Sequence, residues 1–482
     1  MPFPGSSCRY RGAVRLSFGI VCALGGAIVV LCAGCGGGSH EAAPPPPTAT
    51  TAPPTPTVQT PRPVPKRTSV TVVVRDGDTG GRIPNAVVTV RHATRRGPTR
   101  FALTHRAVLS GSAWAPGYAA ASLRFRFDRD RSATVLLYRQ ATQWPMYGGG
   151  PARTQAVPAI HVRPPFRIVW GRSFHSLVEF PAAVSDGVAY LTHIGGMLYA
   201  LSMANGRVLW SFDMHTTQEA SSPAVDGQQL VAHAKRGRVF VLDRRTGRVI
   251  WSIGTAGEIE SSAVVDHGMD YLGDWSGRIY ALDLKRRRFR WIYHDGCKIT
   301  ASAAVAGGTV YIGDYCGRVL ALDAATGRLR WASSAGSPVY GASAVAGGRV
   351  FSPSRDSGAL VAFSTGGRRL WSVSTGALVY AAPAAWGGRV YFGSYNGLLY
   401  CVSASSGRVL WTLAAGGRIS GSPVVVDGIV YVGSFGHQIL GADARTGRVL
   451  FRFPHGEYVP VSGNGARLLL HGWGGVWAVE PR

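Results

Sequence analysis

A tryptophan recurs at nearly constant spacing through two thirds of the chain, and no other feature limits the fold so sharply. It occupies Trp170, Trp210, Trp251, Trp291, Trp331, Trp371 and Trp411, with Phe451 at the next beat; the seven steps are 40 residues each except for one of 41. Self-similarity at such a period belongs to solenoids and propellers and overrides any local reading. One copy decides between them. Residues 301–305, 309–312, 318–323 and 328–331 are four short apolar runs, separated by Gly307-Gly308, Cys316-Gly317 and Thr326-Gly327. Glycine-containing pairs supply the positive φ that tight hairpins need. Each copy therefore reads as a four-stranded meander, the unit of a propeller blade. Residues 458–480 hold material for three more strands and residues 166–170 for a lone one. These halves complete each other, and a closed ring leaves only short protected edges. The expected fold is all-β, an eight-bladed β-propeller preceded by a small β-sandwich.

The stretch Ala321-Leu-Asp323-Ala-Ala-Thr326-Gly327-Arg-Leu-Arg-Trp331 resembles the tryptophan-docking motif of propellers of the pyrroloquinoline-quinone (PQQ) type. The resemblance implies that the Asp and Thr-Gly fix a turn, that the indole packs between blades, and that the repeats close into an eight-bladed ring. Asp243, Thr246, Gly247 and Trp251 match it, as do Asp443, Thr446 and Gly447. Some copies depart from it: Ser202 and Ser403 replace the Asp, Arg286-Arg287 replaces Thr-Gly, and Phe451 replaces Trp. Upstream, Trp144-Pro-Met-Tyr-Gly-Gly-Gly-Pro-Ala-Arg153 is similar to the segment that leads into many such propellers. The resemblance spans residues 142–482. It is specific for fold and poor for function, because one fold hosts many functions.

The chain before the propeller is layered. Residues 1–35 begin with Arg9, Arg11 and Arg15 and continue with an apolar stretch over 16–33, a secretory signal pattern. Leu31-Cys-Ala-Gly-Cys35 resembles a bacterial lipoprotein cleavage site, with Cys35 as the lipidated residue. An uncleaved membrane anchor is the alternative, since about 18 apolar residues just span a bilayer. Either places the remainder outside the cytoplasm. Residues 36–66, rich in Gly, Pro and Thr, read as an extended tether. Residues 67–140 alternate like strands at 69–76, 87–91 and 133–138. With Asn85-Ala86 and Ala115-Pro-Gly-Tyr118 they resemble the carboxypeptidase regulatory-like (transthyretin-like) sandwich, a spacer or binding module in its family. Thr104-His-Arg-Ala departs from the usual Asp-containing turn.

Basic residues exceed acidic ones by 26, and only Lys66, Lys235, Lys285 and Lys298 among the 51 are lysine. High-GC coding produces such a bias; attraction to anionic lipid headgroups or wall polymers is its functional counterpart. Export argues against nucleic acid as a partner. Quinoprotein dehydrogenases share the repeat, and their chemistry requires Ca²⁺ on carboxylate and amide ligands, a catalytic Asp and, in the family, a disulfide between adjacent cysteines. This chain has no Cys-Cys pair, and Asp243, Asp283, Asp323 and Asp443 fall at docking or hairpin positions. No catalytic residue, metal or cofactor is expected, and a PQQ- and Ca²⁺-dependent alcohol or sugar dehydrogenase is the alternative.

Small residues at Ser222, Ser262, Ser302, Ala342, Ala382 and Ser422 fit innermost strands crowding one axis. Glu179, Glu219, Glu258 and Glu260 fall at the starts of the first three blades and ring one mouth of an axial channel. Glu179, Glu219, Glu260, Thr300, Tyr340 and Tyr380 make up the candidate interaction rim, with packing between blades as the alternative for the tyrosines. Cys8, Cys22 and Cys32 belong to the signal, which leaves Cys297, Cys316 and Cys401 in the propeller. Cys297 precedes the first strand of one blade and Cys316 follows its second, so a disulfide is expected in an oxidising compartment; three separate buried cysteines are the alternative. The reading is a membrane-anchored, extracytoplasmic, non-catalytic binding or scaffold protein whose partners are envelope proteins or anionic polymers. BamB-like lipoproteins are its nearest functional parallel by resemblance.

Overall fold

The structure, a computed structural model, describes residues 68–90, 93–97, 99–103, 108–126, 132–218 and 221–482. Cys35, the signal, the tether up to residue 67, Thr104–Ala107 and Glu219 lie outside the described residues. Among the described residues no helix is long and apolar enough to cross a membrane.

Residues 68–137 form two facing sheets. One orders Thr99–Leu103, Thr68–Asp76 and Ser132–Leu137; the other orders Ala93–Arg96, Val87–Val90, Val108–Trp114 and Ala121–Arg126. Val70, Val72 and Val74 alternate inward from the first sheet and meet Val88, Val90, Ala113 and Leu123 of the second. The period of two along each strand makes this sandwich core.

Eight four-stranded antiparallel sheets follow. Blade 1 runs from Ala183–Ser185 to Val208–Asp213, blade 2 from Ala224–Asp226 to Val249–Gly254, and blade 3 from Val265–Asp266 to Arg288–His294. Blade 4 runs from Ala304–Ala306 to Leu329–Ser334, blade 5 from Ala344–Ala346 to Arg369–Ser374, blade 6 from Ala384–Trp386 to Val409–Ala414, and blade 7 from Val424–Val426 to Val449–Phe453. Blade 8 joins Val461–Gly463, Leu468–His471 and Gly475–Pro481 to Phe166–Ser173, which forms its outer strand. The ring is thus closed by strands from both ends of the repeat region.

Each docking indole reads the turn of the following blade. Trp170, Trp210, Trp291, Trp331 and Trp371 donate their indole N–H to the carbonyls of Met203, Arg244, Ala324, Thr365 and Ala404, at 2.8–3.1 Å. The turn glycine lies flat beneath the ring: a Cβ on Gly247 would stand 2.6 Å from Trp210, and one on Gly327 2.6 Å from Trp291. Three positions depart from this pattern. Trp251, facing the turn in which Arg286-Arg287 replaces Thr-Gly, and Trp411, facing the intact turn of Asp443, Thr446 and Gly447, both leave their N–H without an acceptor, so the turn motif alone does not secure this bond. Phe451 faces blade 8, whose third and fourth strands come from opposite ends of the repeat region, so no turn joins them and no turn carbonyl is available. A ring without a donor suits that seam.

The axis is not an open channel. The segment from Trp144 to Gln155 fills the end of the ring bounded by the first hairpin of each blade. Backbone bonds tie it to Val184, Val225, Val305, Val345, Ala385 and Val425 in blades 1, 2, 4, 5, 6 and 7. Arg153, fully buried, reaches the carbonyls of Ser262 and Ala263, which precede blade 3 (2.9 and 3.0 Å), and of Ala303 before blade 4 (3.0 Å), and also that of Tyr147. The sandwich packs at this same end: Asp78 accepts bonds from Thr142 (3.1 Å), Gln143 (3.0 Å) and Asn464 (2.9 Å), and Gln143 accepts one from the Asp186 N–H (3.0 Å).

Candidate functional site

With one end filled, the ring presents a blind funnel at the other. Its cavity volume is small, about 60 Å³, and opens to solvent. Tyr147 stands at its floor, its hydroxyl 2.6 Å from Ser422 and its ring 5.4 Å from Phe180. The wall is built from the segments that precede each innermost strand. Their small residues do more than avoid crowding: the Ser262 hydroxyl accepts the Ser222 N–H (2.9 Å) and the Ser302 hydroxyl accepts the Ser262 N–H (2.8 Å), stitching neighbouring blades.

Glu179, Glu260, Thr300, Tyr340 and Tyr380 all line this funnel. Glu258 is exposed and is not part of the lining. Cys297 and Cys316 are joined by a disulfide with Cα atoms 5.9 Å apart, on the rim of blade 4, and Cys401 is a buried free thiol. Asp295 and Asp314 beside that bridge are both engaged by Arg318, at 2.8 and 2.7 Å.

The funnel has two unlike sides. On the side of blades 1 to 3, Glu260 pairs with Lys235 at 2.7 Å. Burial, then the nearby Glu260 charge, pushes the Glu179 carboxyl up to about 7. No basic group among the described residues lies within ion-pairing distance of Glu179. On the side of blades 4 to 8 a belt of rings runs from Tyr315 through Tyr340, Tyr380, Tyr395 and Phe435 to Tyr458, with successive centroids 4.9–6.4 Å apart. Burial, with Glu260 and Glu179 adding to it, holds the Tyr340 phenol above its ordinary range. Thr300, 4% exposed, has a hydroxyl with no hydrogen-bond partner.

An outer ring escaped the sequence reading. Lys235, Trp275, Tyr315, Arg355, Tyr395 and Phe435 recur every 40 residues, each just past the second strand of its blade. The same period that revealed the tryptophans marks them, but their identities vary, so the signal lies in position alone. Their basic members lie on aromatic faces: Lys298 is 3.3 Å from the Trp275 centroid, and Arg355 5.5 Å from that of Tyr315. Such contacts are worth about 0.5–2 kcal/mol each.

The described lining does not fit a Ca²⁺–quinone centre. It offers two carboxylates, one already neutralised by its own lysine, and neither an Asp nor an Asn. Calcium takes six to eight oxygen ligands as a rule, and this set falls well short.

A closed propeller of docking-motif blades with a blind, tyrosine- and glutamate-lined mouth is a quinoprotein-type ring. More narrowly, the chain belongs to the family described as outer membrane protein assembly factor BamB, which matches residues 167–272, 276–382 and 356–479. In sequence it is 27% identical over 129 residues to 1-butanol dehydrogenase (cytochrome c) of Thauera butanivorans, covering 23% of this chain and 19% of that protein. It is 31% identical over 98 residues to a quinohemoprotein alcohol dehydrogenase of Pseudomonas putida, covering 18% and 14%. The chain thus spans a fifth or less of these curated relatives. In structure it is similar to BamB from Moraxella catarrhalis (TM-score 0.56, 19% identity, 65% of this chain and 99% of that one). It is also similar to quinohemoprotein alcohol dehydrogenase from Comamonas testosteroni (TM-score 0.60, 14% identity, 70% and 80%). At such identities these likenesses show the fold alone.

Proposed function

We propose that this protein is a membrane-anchored, extracytoplasmic, non-catalytic scaffold that binds envelope proteins through the propeller mouth. The observation that carries this reading is the blind funnel: its carboxylate Glu260 is tied to Lys235, and apart from Glu179 its wall is mostly aromatic and small residues. Rings with a polar tip over an apolar body are enriched in protein interfaces, and family membership supports an envelope role. The sandwich packs at the far end of the ring, away from the mouth.

Photo-crosslinking from Tyr315 or Tyr395 in intact envelopes tests this. The expected outcome is discrete protein adducts; a mouth that yields none, while a position on the outer strands does, would refute the reading. The quinoprotein alternative rests on the 27% and 31% identical relatives. Dye-linked alcohol oxidation after loading with PQQ and Ca²⁺ would establish it, and no turnover is expected.

A further inference from the structure

Resting on that reading, we infer that the funnel takes one cationic group, the guanidinium or ammonium of a basic side chain on a partner protein. Three observations converge. First, Glu179 stands in the funnel with no ion pair among the described residues; the one lysine whose charge reaches it, Lys235, is bonded to Glu260. Lys235 balances Glu260, so Glu179 is the carboxylate left for an arriving cation, which would favour its charged form. Second, the hydroxyl of Thr300, in a residue only 4% exposed and lining the funnel, has no partner. A buried hydroxyl left unpaired is costly; its oxygen is closed to solvent in the free protein, so a guanidinium with five donors supplies the missing bond as the wall yields slightly around it. Third, the opposite wall is a belt of tyrosines, with Tyr340 set against Tyr380 at 5.6 Å and 76°. Aromatic faces attract cations through their quadrupole, most strongly where water is excluded.

The chain's positive charge does not stand against this. Of the basic residues nearest the mouth, Lys235 is neutralised by Glu260 and Arg355 by Asp356 (2.7 Å each), while Lys298 over Trp275 and Arg418, 5.9 Å from the Tyr395 centroid, keep their charge outside the funnel lining. They set the rim but do not fill the centre. The funnel is also narrow and blind, floored by Tyr147, so it suits the end of a side chain better than a folded loop.

Calorimetry on the purified protein tests the inference with three probes: the peptide acetyl-Gly-Arg-Gly-amide, the same peptide with citrulline, and tetramethylammonium. The arginine peptide is expected to bind at least tenfold more tightly than the citrulline peptide. Glu179→Gln should reduce that preference about tenfold and Thr300→Val severalfold, with melting curves checking that both variants remain folded. Equal binding of the arginine and citrulline peptides would overturn the inference. So would tetramethylammonium binding more tightly than the arginine peptide, which would mark the site as one for a small organic ammonium. Adducts from the envelope experiment that persist in excess arginine peptide would leave the scaffold reading standing and remove this one.

Discussion

Replacing Arg153 by methionine should loosen the whole ring. The guanidinium makes hydrogen bonds to four carbonyls, those of Tyr147, Ser262, Ala263 and Ala303, and so joins the lead-in segment to the starts of two blades. Its burial is costly: desolvation pulls its pKa from the ordinary guanidinium range down to about 10, which at about 1.4 kcal/mol per pH unit is a penalty of roughly 3 kcal/mol. Methionine removes that penalty and refills the aliphatic volume. It also leaves the carbonyls unpaired, at about 1–3 kcal/mol each before any water enters. The balance is a net loss of about 3–5 kcal/mol, in the range seen when one member of a buried charged network is removed. In a urea titration followed by tryptophan fluorescence, with a slope of roughly 3 kcal/mol per M, the midpoint should fall by more than about 1 M. Arg153→Lys keeps the charge and loses the fork, so it should fall in between. A methionine variant whose midpoint stays within about 0.3 M of the parent, under 1 kcal/mol on the same slope, would refute the view of Arg153 as the clasp of the ring.

Trp291→Phe should cost about 1–2 kcal/mol through the lost bond to the Ala324 carbonyl and the reduced cover over Gly327. Phe451→Trp, facing a blade with no turn to accept its N–H, should give no compensating gain; paired urea titrations check both. Burial raises the Asp78 carboxyl at the sandwich–propeller junction to about 6. The folded state therefore holds this proton where the unfolded chain has released it. The resulting stability is complete below the ordinary carboxylate range and is lost as pH rises through 6, by up to about 3 kcal/mol. Asp78→Asn should remove that part of the pH dependence in melts between pH 4 and 8. Thiol counting on denatured protein should find one free thiol among the propeller cysteines, that of Cys401; Cys316→Ser should cost on the order of 3 kcal/mol, from a closed loop spanning 19 residues.

The ring was legible because one large residue repeats in register and glycine marks every turn. Even one irregular copy carried meaning, although Phe451 made sense only once each indole was seen to face the next blade's turn. The rim was partly legible: Glu179, Glu260, Thr300, Tyr340 and Tyr380 share a position in the repeat, and a closed ring must bring that position to one mouth. Two things were hidden. The lead-in segment has no periodicity, so nothing in Trp144–Arg153 revealed that it would thread the ring and turn a channel into a funnel. The outer ring of Lys235, Trp275, Tyr315 and Arg355 varies in chemistry from blade to blade, so composition concealed what spacing preserves.

The lead-in segment also constrains the order of assembly. Synthesis delivers residues 144–173 ahead of every blade they bind, and their partners include Val425 of blade 7 and Gly475–Pro481 of blade 8. Contacts so distant along the chain form late, because loop closure must precede them. Blades 1 to 7 are each contiguous in sequence and can form in turn, but the ring cannot close before blade 8 is made. Until blade 8 emerges, the ring stays open and Phe166–Ser173 lacks its sheet, exposing unpaired edges that invite association. The last strands to be made decide whether the ring closes.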